Sequence, residues 1–382
     1  MHLVDTTLFF SPTSGGVKRY LTAKHAWLAS HTSWEHTIVV PGRDTRYERG
    51  GMCTLSGYPV PFTFNYRLPL NPRRWTRLLE RLEPTLIEAG DVFHPAWAGW
   101  HVAQRLGIPF AAFYHSNLPQ LAGRRFLGGF TGPTLRRYVQ LLYQRCDLVF
   151  APSRIMCEYL RSLGVHQAVH QPLGVDAEVF NPIRRGGELR ARLGLPPAAR
   201  VLVFPGRFAP EKNLPLLLQA FARLGSPYHL LLIGGKRTAR PTPNVTMLPY
   251  RRDSRELAQL IASADALVHA GTKETFGLVI LEAMACGRPV VAARAGAFPE
   301  LIDDSVGILA EPNSATSMAD AIAALYERDL DTLGAAGRER VLRQFTWQRA
   351  FHTQLIAYTS LVGARRAPVT DTPILEARSP SS

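Results

Sequence analysis

The sequence predicts an α/β protein made of two doubly wound, Rossmann-like domains that face a cleft. Short apolar, β-branched segments alternate with helical patterns along most of the 382 residues. Continuously apolar strands separated by helices indicate parallel sheets that are covered on both faces. The alternation occurs in two sets, and a chain of this length has room for two domains.

The predicted strands of the first set are Thr37–Val40, Thr85–Glu88, Pro109–His115 and Asp147–Ala151. Those of the second set are Val201–Pro205, His229–Ile233, Asn244–Leu248, Ala266–His269 and Pro289–Ala292. Helices are expected between them, for example at Leu214–Leu224, Arg255–Ala264 and Leu278–Cys286.

Turn residues mark the boundary between the two sets. The stretch Gln171–Gly187 contains two prolines and a Gly-Gly pair. We therefore predict an N-terminal domain over residues 1–172 and a C-terminal domain over 173–345. A further helix is expected over 346–363, with Thr346 as its N-cap. Residues 364–382 are rich in Pro, Ser and Arg, and we expect them to be disordered.

The composition limits the classes of partner. The net charge is +14, and the basic excess lies mostly before Pro172, with 19 basic and 10 acidic residues. Such a charge attracts nucleic acid, anionic membranes or anionic substrates, and the charge alone does not choose among them. Because the sequence has no helix-turn-helix, zinc-finger or RNA-binding signature, we do not expect a nucleic-acid partner.

The four cysteines are not arranged for metal or redox chemistry. No two have Cys-x-x-Cys spacing, and four in so long a chain do not suggest a disulfide framework. No secretory leader and no run of about 18 apolar residues is visible. We therefore expect a cytoplasmic protein that is soluble or lies on a membrane surface.

Three motifs indicate chemistry. Ser14-Gly15-Gly16-Val17 follows the opening strand and precedes a helix, so its amides can approach a phosphate or a sugar, although a tight turn is equally compatible. Gly206–Asn213 follows the strand Val201–Pro205 and places Arg207 and Lys212 where a diphosphate would bind, unless it is only a solvated basic loop.

The third motif is Glu274–Ala292, in which seven residues separate Glu274 from Glu282. The helix that opens at Phe276-Gly277-Leu278 presents free amides to an anion. Two acidic side chains beside such a site fit hydroxyl groups on either side of a phosphate. Two glutamates on a solvated helix face are the alternative.

The segment Glu274–Ala292 resembles the Glu-x7-Glu signature of a family of retaining glycosyltransferases (family 4, "glycosyl transferases group 1"). The Gly-Gly loop and the segment Gly206–Asn213 resemble the same family, in the same order along the chain. The family includes phosphatidylinositol mannosyltransferases and sucrose-phosphate synthases. The segment Pro172–Asp176, with Phe180, matches the family's passage between domains, and the resemblance extends from about Val4 to Leu361. It implies the two-domain GT-B fold.

The resemblance also implies a role for each matching residue. Arg207 and Lys212 neutralise the diphosphate, Glu274 holds sugar hydroxyls, and Glu282 holds the ribose. His115 matches the family's active-site histidine. Without the family match, a structural histidine would be the favoured interpretation. The remaining donor-binding positions are Gly15, Gly16, the amides of Phe276, Gly277, Leu278 and Val279, and, for the base, Leu248 and Tyr250.

Two segments depart from the family pattern. Gly-x-Gly after the strand His229–Ile233 is replaced by Gly234-Gly235-Lys236-Arg237. The usual Gly-Gly before Pro-Glu is replaced by Ala295-Gly296-Ala297-Phe298-Pro299-Glu300, which affects the sugar contacts expected there.

By family analogy, we expect retention of configuration through same-face attack, with electrostatic stabilisation of the departing diphosphate. The only Asp-x-Asp sequence, Asp329-Leu330-Asp331, lies far from the other motifs and is interpreted as a polar turn. No His/Cys cluster predicts a zinc site, so we expect neither an essential metal nor a cofactor.

The acceptor is suggested by the segment Pro72–Glu83. Apolar residues at helical spacing share it with Arg73, Arg74, Arg77 and Arg81, and Arg124-Arg125 and Arg136-Arg137 extend the basic surface. A basic amphipathic helix suits an anionic membrane, whereas an ordinary helix packed on the sheet is the alternative.

We predict a transferase that moves a hexose from a nucleoside-diphosphate sugar, of the GDP-mannose or UDP-glucose type, to a lipid or saccharide acceptor. A nucleotide-sugar epimerase and a non-catalytic sugar-binding protein on the same fold are the alternatives.

Overall fold

Two parallel β-sheets form the centres of two layered α/β units, which confirms the predicted fold class. The structure, a computed structural model, describes residues 1–10, 15–60, 66–69, 71–121, 132–235 and 243–366. Ser14, the Arg124-Arg125 pair with Phe126 and Leu127, the Lys236-Arg237 pair, and residues 367–382 of the predicted tail lie outside these ranges.

The first sheet has seven parallel strands in the order β3-β2-β1-β6-β7-β8-β9. They are β1 (His2–Thr6), β2 (Glu35–Gly42), β3 (Met52–Ser56), β6 (Leu86–Ala89), β7 (Phe110–Phe113), β8 (Leu148–Ala151) and β9 (Ala168–His170). A short antiparallel pair, β4 (Tyr58–Pro59) and β5 (Arg67–Leu68), follows β3.

The helices of this unit connect its strands. They are α1 (Gly16–His31), α2 (Pro72–Arg81), α3 (His94–Leu106), α4 (Leu118–Leu121), α5 (Gly132–Tyr143) and α6 (Arg154–Ser162). Asn71 caps α2 and Ser153 caps α6, since each side chain accepts a backbone amide of the first turn.

The second sheet has six parallel strands in the order β12-β11-β10-β13-β14-β15. They are β10 (Arg200–Pro205), β11 (Tyr228–Ile233), β12 (Val245–Leu248), β13 (Ala266–His269), β14 (Val290–Ala293) and β15 (Gly307–Ala310). Its helices are α7 (Leu189–Arg192), α8 (Leu214–Leu224), α9 (Ser254–Ser263), α10 (Leu278–Ala285), α11 (Phe298–Leu301), α12 (Ala315–Leu325) and α13 (Leu330–Gln344).

In both sheets the strand order reverses once, between β1 and β6 and between β10 and β13. At such a switch point the loops leave the carboxyl ends of neighbouring strands in opposite directions, and a crevice opens between them. Ligands of open α/β sheets bind there. This topology places the loops after β10 and β13 beside each other.

The last helix, α14 (Trp347–Arg366), returns from the second unit to the first. It includes residues 364–366, which the sequence interpretation had assigned to the tail. The chain that leads into it pairs with the linker between the units, where the Val175 amide donates to the Phe345 carbonyl at 2.8 Å. Gly174 is needed at this crossing, since a Cβ there would lie 2.5 Å from the carbonyl carbon of Thr346.

A buried charged cluster fixes α14 against the first sheet. The ammonium of Lys24, on α1, lies 2.9 Å from Glu88 Oε1 and 3.0 Å from Asp5 Oδ2, and it donates to the Tyr358 hydroxyl at 2.8 Å. Tyr358, on α14, donates in turn to Glu88. All four side chains are almost completely buried, and they satisfy one another's polar groups together with His36, which lies 2.6 Å from Asp5, and Tyr20, whose hydroxyl donates to Glu88 at 3.2 Å.

Candidate active site

The predicted site residues lie at the carboxyl ends of strands, on the two sides of the cleft. Gly15 and Gly16 follow β1, and His115 follows β7. On the facing side, Arg207 and Lys212 follow β10 and Glu274 follows β13. The topology therefore explains why residues distant in sequence meet.

Glu274 is the electrostatic centre of this region. Its carboxylate forms an ion pair with Lys212, and its Oε1 lies 3.7 Å from His269 Nε2. Burial acts to raise the pKa of Glu274, but the charge of Lys212, with smaller contributions from His269 and Arg207, lowers it to about 2. Glu274 is therefore ionised at neutral pH and accepts hydrogen bonds.

His269 supports this carboxylate from the end of β13. Its Nδ1 accepts the Gly271 amide at 3.0 Å, which leaves the proton on Nε2, the nitrogen that faces Glu274. The ring is buried between Phe204 and Phe298. Burial lowers the pKa of His269 to about 3, so the imidazole is neutral at physiological pH; at 3.7 Å its Nε2 is close to Glu274 Oε1 but beyond hydrogen-bond distance.

The loop that departs from the family pattern holds the backbone of Glu274. The Ala297 amide donates to the Glu274 carbonyl at 3.1 Å. Gly296 has a φ of +55°, and a Cβ there would lie 2.5 Å from the same oxygen. The sequence Ala295-Gly296-Ala297 thus retains a glycine at the position of closest approach to Glu274.

Arg207 lies on the loop after β10, close to the end of β11. Its guanidinium lies 3.4 Å from Glu211 in the same loop. Gly234, with a φ of +136°, packs against this loop so closely that a Cβ would lie 2.1 Å from the Gly206 carbonyl oxygen. The Gly234 amide also donates to Leu248 at 3.1 Å, which joins the ends of β11 and β12.

The N-terminus of α10 faces the first domain. Gly277 caps it with a φ of +103°, and a Cβ there would lie 2.8 Å from the Phe298 ring. Phe276 is buried, while Leu278 and Val279 form the first turn. A Cβ on Gly16 would lie only 3.2 Å from Leu278 Cδ1, so the glycine loop and the helix end are in contact across the cleft.

Glu282, one helical turn further along α10, forms an ion pair with Arg19 of α1. Arg19 is the one side-chain partner that the described residues offer to this buried carboxylate. The guanidinium also lies 5.8 Å from the Phe180 ring centre. Burial lowers the pKa of Arg19, and the neighbouring Tyr250 opposes that shift.

His115 lies at the end of β7 under aromatic side chains. Its ring stacks on Phe113 at 4.3 Å and meets Tyr20 edge-on at 4.8 Å. Burial lowers the pKa of His115 to about 3, so the imidazole is neutral at physiological pH. Its Nε2 is buried and has no hydrogen-bond partner among the described residues.

Sequence comparisons identify the family. A model described as "Glycosyltransferase Family 4" matches residues 14–179, and one described as "Glycosyl transferases group 1" matches residues 199–328. The chain is 30% identical to a GDP-mannose-dependent alpha-(1-6)-phosphatidylinositol dimannoside mannosyltransferase of Mycobacterium tuberculosis, over 96% of this chain and 98% of that protein.

The chain belongs to glycosyltransferase family 4. This glycosyltransferase is also 30% identical to a D-inositol 3-phosphate glycosyltransferase of Mycolicibacterium smegmatis, over 72% of this chain and 69% of the other. Its fold is similar to that of sucrose-phosphate synthase from Thermosynechococcus elongatus, with a TM-score of 0.79 and 23% identity over 95% and 99% of the two chains. The fold is therefore GT-B.

The structure of the glycosyltransferase adds three residues that sequence reasoning missed. His269 and Arg19 contact the two predicted glutamates, and Thr275 links Glu274 to the first domain by a hydrogen bond to His115. Only position gave a signal for His269, since it ends β13 five residues before Glu274. Arg19 and Thr275 contact residues of the opposite domain, and the sequence alone does not indicate which residues of the two domains are in contact.

Residues outside the cleft have structural roles in the glycosyltransferase. Asp329 caps α13 by accepting the amides of Asp331 and Thr332, so Asp-x-Asp forms the N-terminus of a helix rather than the predicted polar turn. The four cysteines, Cys53, Cys146, Cys157 and Cys286, are buried free thiols. Among the described residues, no group of three or more His, Cys, Asp or Glu side chains is arranged to hold a metal ion.

Proposed function

We propose that this glycosyltransferase moves a hexose, with retention of configuration, from a nucleoside-diphosphate sugar to a lipid or saccharide acceptor near a membrane. The observation that supports this most strongly is the convergence at one switch point. There, Arg207, Lys212 and the N-terminus of α10 lie beside an ionised Glu274.

The donor diphosphate would bind between β10 and β13. Arg207 provides a planar donor and Lys212 a point charge, and the amides of Phe276–Val279 complete an anion site at a helix end. Because these groups stabilise the charge that develops on the leaving diphosphate, the reaction would not require a metal ion. Gly16 is close enough to α10 for its backbone to contact the donor.

The two glutamates would hold the hydroxyl groups on either side of the diphosphate. Glu274, ionised and paired with Lys212, would accept hydrogen bonds from the sugar. Glu282 would accept those of the ribose in place of its present partner, Arg19. Leu248 and Tyr250, at and after the end of β12, would line the base pocket.

The acceptor would enter from the first domain. His115 is neutral and its Nε2 has no partner among the described residues, so it can bind a hydroxyl group without bringing a charge. Same-face attack by that hydroxyl, with its proton passing to the departing phosphate, would retain the configuration. The enzyme then needs to position and stabilise charge rather than form a covalent intermediate.

A membrane-bound acceptor is supported by helix α2. Its apolar side chains, Trp75, Leu78 and Leu79, and that of its C-cap, Leu82, are buried in the domain, as an ordinary packed helix requires. Its arginines, Arg73, Arg74, Arg77 and Arg81, are all exposed. Within the described ranges, no helix has the length and apolar character needed to span a bilayer. An exposed basic face suits the anionic cytoplasmic leaflet.

The names of two relatives point to the substrate class. The mannosyltransferase from M. tuberculosis uses GDP-mannose and acts on a phosphatidylinositol dimannoside, and the sulfoquinovosyl transferase of Arabidopsis thaliana is 29% identical over 83% of this chain. The first name supports GDP-mannose as donor and a glycolipid as acceptor, and UDP-glucose is kept as the second candidate donor.

The test is transfer of labelled sugar from GDP-mannose, UDP-glucose and ADP-glucose to a bacterial phospholipid and glycolipid extract, in the presence of EDTA. We expect one donor to transfer label to the organic phase, with an anomeric configuration that matches the donor. No transfer from any donor, or conversion of the donor to an isomer without acceptor, would contradict the proposal.

Membrane binding is tested separately by sedimentation with anionic liposomes at low salt. We expect the wild type to sediment and a variant with all four α2 arginines changed to glutamine to remain in solution. The control loses the same charge from exposed arginines of the second domain, Arg223, Arg255, Arg294 and Arg343. Equal sedimentation of both variants would show that α2 is not the membrane surface.

A further inference from the structure

A line of hydrogen bonds joins the two domains beside the candidate active site. The Thr275 hydroxyl donates to the His115 carbonyl at 2.9 Å, and the Ser153 hydroxyl donates to the Thr275 carbonyl at 2.8 Å. Thr275 therefore bonds to the first domain through its side chain and through its backbone. It immediately follows Glu274 in the chain.

A second contact lies next to this line. The Glu300 carboxylate accepts the amides of Arg154 and Ile155 at 2.8 and 2.9 Å. These are the first two amides of α6, which have no partner within the helix, and a negative charge at a helix N-terminus is favourable. Ser153 is the N-cap of the same helix, so one helix end of the first domain receives both contacts.

Each contact is made by a segment of the second domain that also positions Glu274. Glu300 belongs to the segment that begins at Ala295 and holds the Glu274 carbonyl through the Ala297 amide. Thr275 lies between Glu274 and Phe276, at the entrance to α10. The contacts across the cleft therefore act on the same few residues that position Glu274.

We propose that Thr275 is a positioning residue that sets the distance between Glu274 and His115 when the domains are closed, and that Glu300 and Ser153 hold this closure at the end of α6. The inference rests on the proposed function, in which Glu274 holds the donor sugar and His115 receives the acceptor. The hydroxyl group of residue 275 makes the hydrogen bond to the His115 carbonyl, on which this proposal depends.

A hydrogen bond at this position would matter because the two substrates are held by different domains and must be aligned with each other. Because the donor and the acceptor are held by different domains in the proposed function, the reacting atoms meet only if the domains stop at one relative position. A misplacement of the reacting atoms by about 1 Å can lower the rate about 100-fold. A single directed hydrogen bond beside these atoms can therefore change the rate by more than its own binding energy suggests. Closure also excludes water from the donor.

The test compares Thr275→Val, which keeps the shape and removes the hydroxyl, with Thr275→Ser, which keeps the hydroxyl. We expect Thr275→Val to lower kcat about ten-fold, while KM for the donor and Kd for the nucleoside diphosphate stay within about two-fold. Thr275→Ser should restore most of kcat. Far-UV circular dichroism and the melting temperature verify that both variants fold.

Two kinetic results would overturn the proposal. Wild-type kcat in Thr275→Val would show that the hydroxyl does nothing, and an equal loss in Thr275→Ser would show that only the shape of the residue matters. A parallel loss of nucleotide binding would assign Thr275 to the donor pocket instead, and would also contradict a positioning role.

Closure is measured without activity, so that failure of the proposed function remains a separate result. If the wild type transfers no sugar, the contacts between the domains (the clamp formed by Thr275, Ser153 and Glu300) are tested by small-angle X-ray scattering. The wild type and the double variant Thr275→Val/Glu300→Ala are compared with GDP and with UDP. We expect a larger radius of gyration for the double variant. An identical radius would overturn the clamp whether or not the enzyme is active.

Discussion

The ion pair between Arg19 and Glu282 occupies the carboxylate that is proposed to receive the ribose. Glu282 is buried, and an unpaired carboxylate there would be costly, so Arg19 stabilises the site in the absence of nucleotide. A nucleotide that reaches Glu282 must replace or share this partner. Removal of Arg19 is therefore expected to increase the affinity for the nucleotide, whereas removal of an ordinary binding residue decreases it.

We predict that Arg19→Met increases the affinity for the nucleoside diphosphate by about three- to ten-fold, because no competing cation then has to leave Glu282. Isothermal titration calorimetry with GDP and UDP measures the effect. The matched control is Lys18→Met, which removes the neighbouring charge on the same helix. A weaker affinity in Arg19→Met would instead make Arg19 a donor-binding residue.

His269 connects the site to the pH dependence of stability. Its pKa is about 3 in the folded protein, whereas a histidine in an unfolded chain has a pKa of 6.5. Below pH 6.5 the unfolded chain takes up a proton that folded His269 does not. Its contribution to stability is therefore complete above pH 6.5 and is lost as the pH falls towards 3.

We predict that His269→Leu makes the free energy of unfolding less dependent on pH. Between pH 6 and 5 the slope should decrease by about 1 kcal/mol per pH unit, the effect of one proton. Urea unfolding followed by far-UV circular dichroism measures both slopes. This window lies above the ordinary carboxyl range, so the shifted Glu274 does not contribute. Equal slopes would show that His269 titrates normally.

At the scale of elements, α14 is held by charge as well as by packing. Lys24 bonds to Asp5, Glu88 and Tyr358, which joins two strands of the first sheet to this helix. Burial and the charge of Asp5 act to raise the pKa of Glu88, Lys24 acts to lower it, and the net result is a pKa raised to about 7. The other basic neighbour of Asp5 among the described residues, His36, is neutral at pH 7 because burial lowers its pKa, so Lys24 provides the positive charge of the cluster.

We predict that Lys24→Met lowers the free energy of unfolding by about 3–5 kcal/mol, because it removes the ammonium beside the buried Asp5 carboxylate and leaves His36, whose pKa is lowered by burial, as its remaining basic neighbour. The control is Arg365→Ala, which removes an ion pair between α14 and Asp147 that is 2.7 Å long but partly exposed. That change should cost about 0–1 kcal/mol. Similar losses in urea unfolding would show that the buried cluster contributes no more than a surface pair.

The sequence predicted most elements because strands and helices have local causes. The predicted helix Leu214–Leu224 and strand Ala266–His269 coincide with the structure. The strands β3, β9 and β15 were not assigned. Each is an edge strand of three to five residues, and such short patterns are difficult to distinguish from apolar loops.

For the whole molecule, the motifs predicted that Arg207 and Lys212 follow a strand of the second sheet and that Glu274 belongs to the same donor site. The ion pair between Lys212 and Glu274 was not predicted. The motifs also did not predict the partners across the cleft. Arg19 meets Glu282 and Thr275 meets His115 only because the two domains close against each other, and this relation depends on the complete surfaces of both. Family membership fixes the fold and the transferase class, whereas the roles of individual residues depend on this geometry.

The measurement that tests the central claim most directly is calorimetric titration of the protein with GDP, UDP and ADP in the presence of EDTA, on the wild type, Arg207→Ala and the exposed control Arg223→Ala. We predict that one nucleotide binds to the wild type and to Arg223→Ala with the same affinity, and at least about ten-fold more weakly to Arg207→Ala. Binding that requires a divalent cation, or equal binding to all three proteins, would contradict a metal-independent diphosphate site after β10.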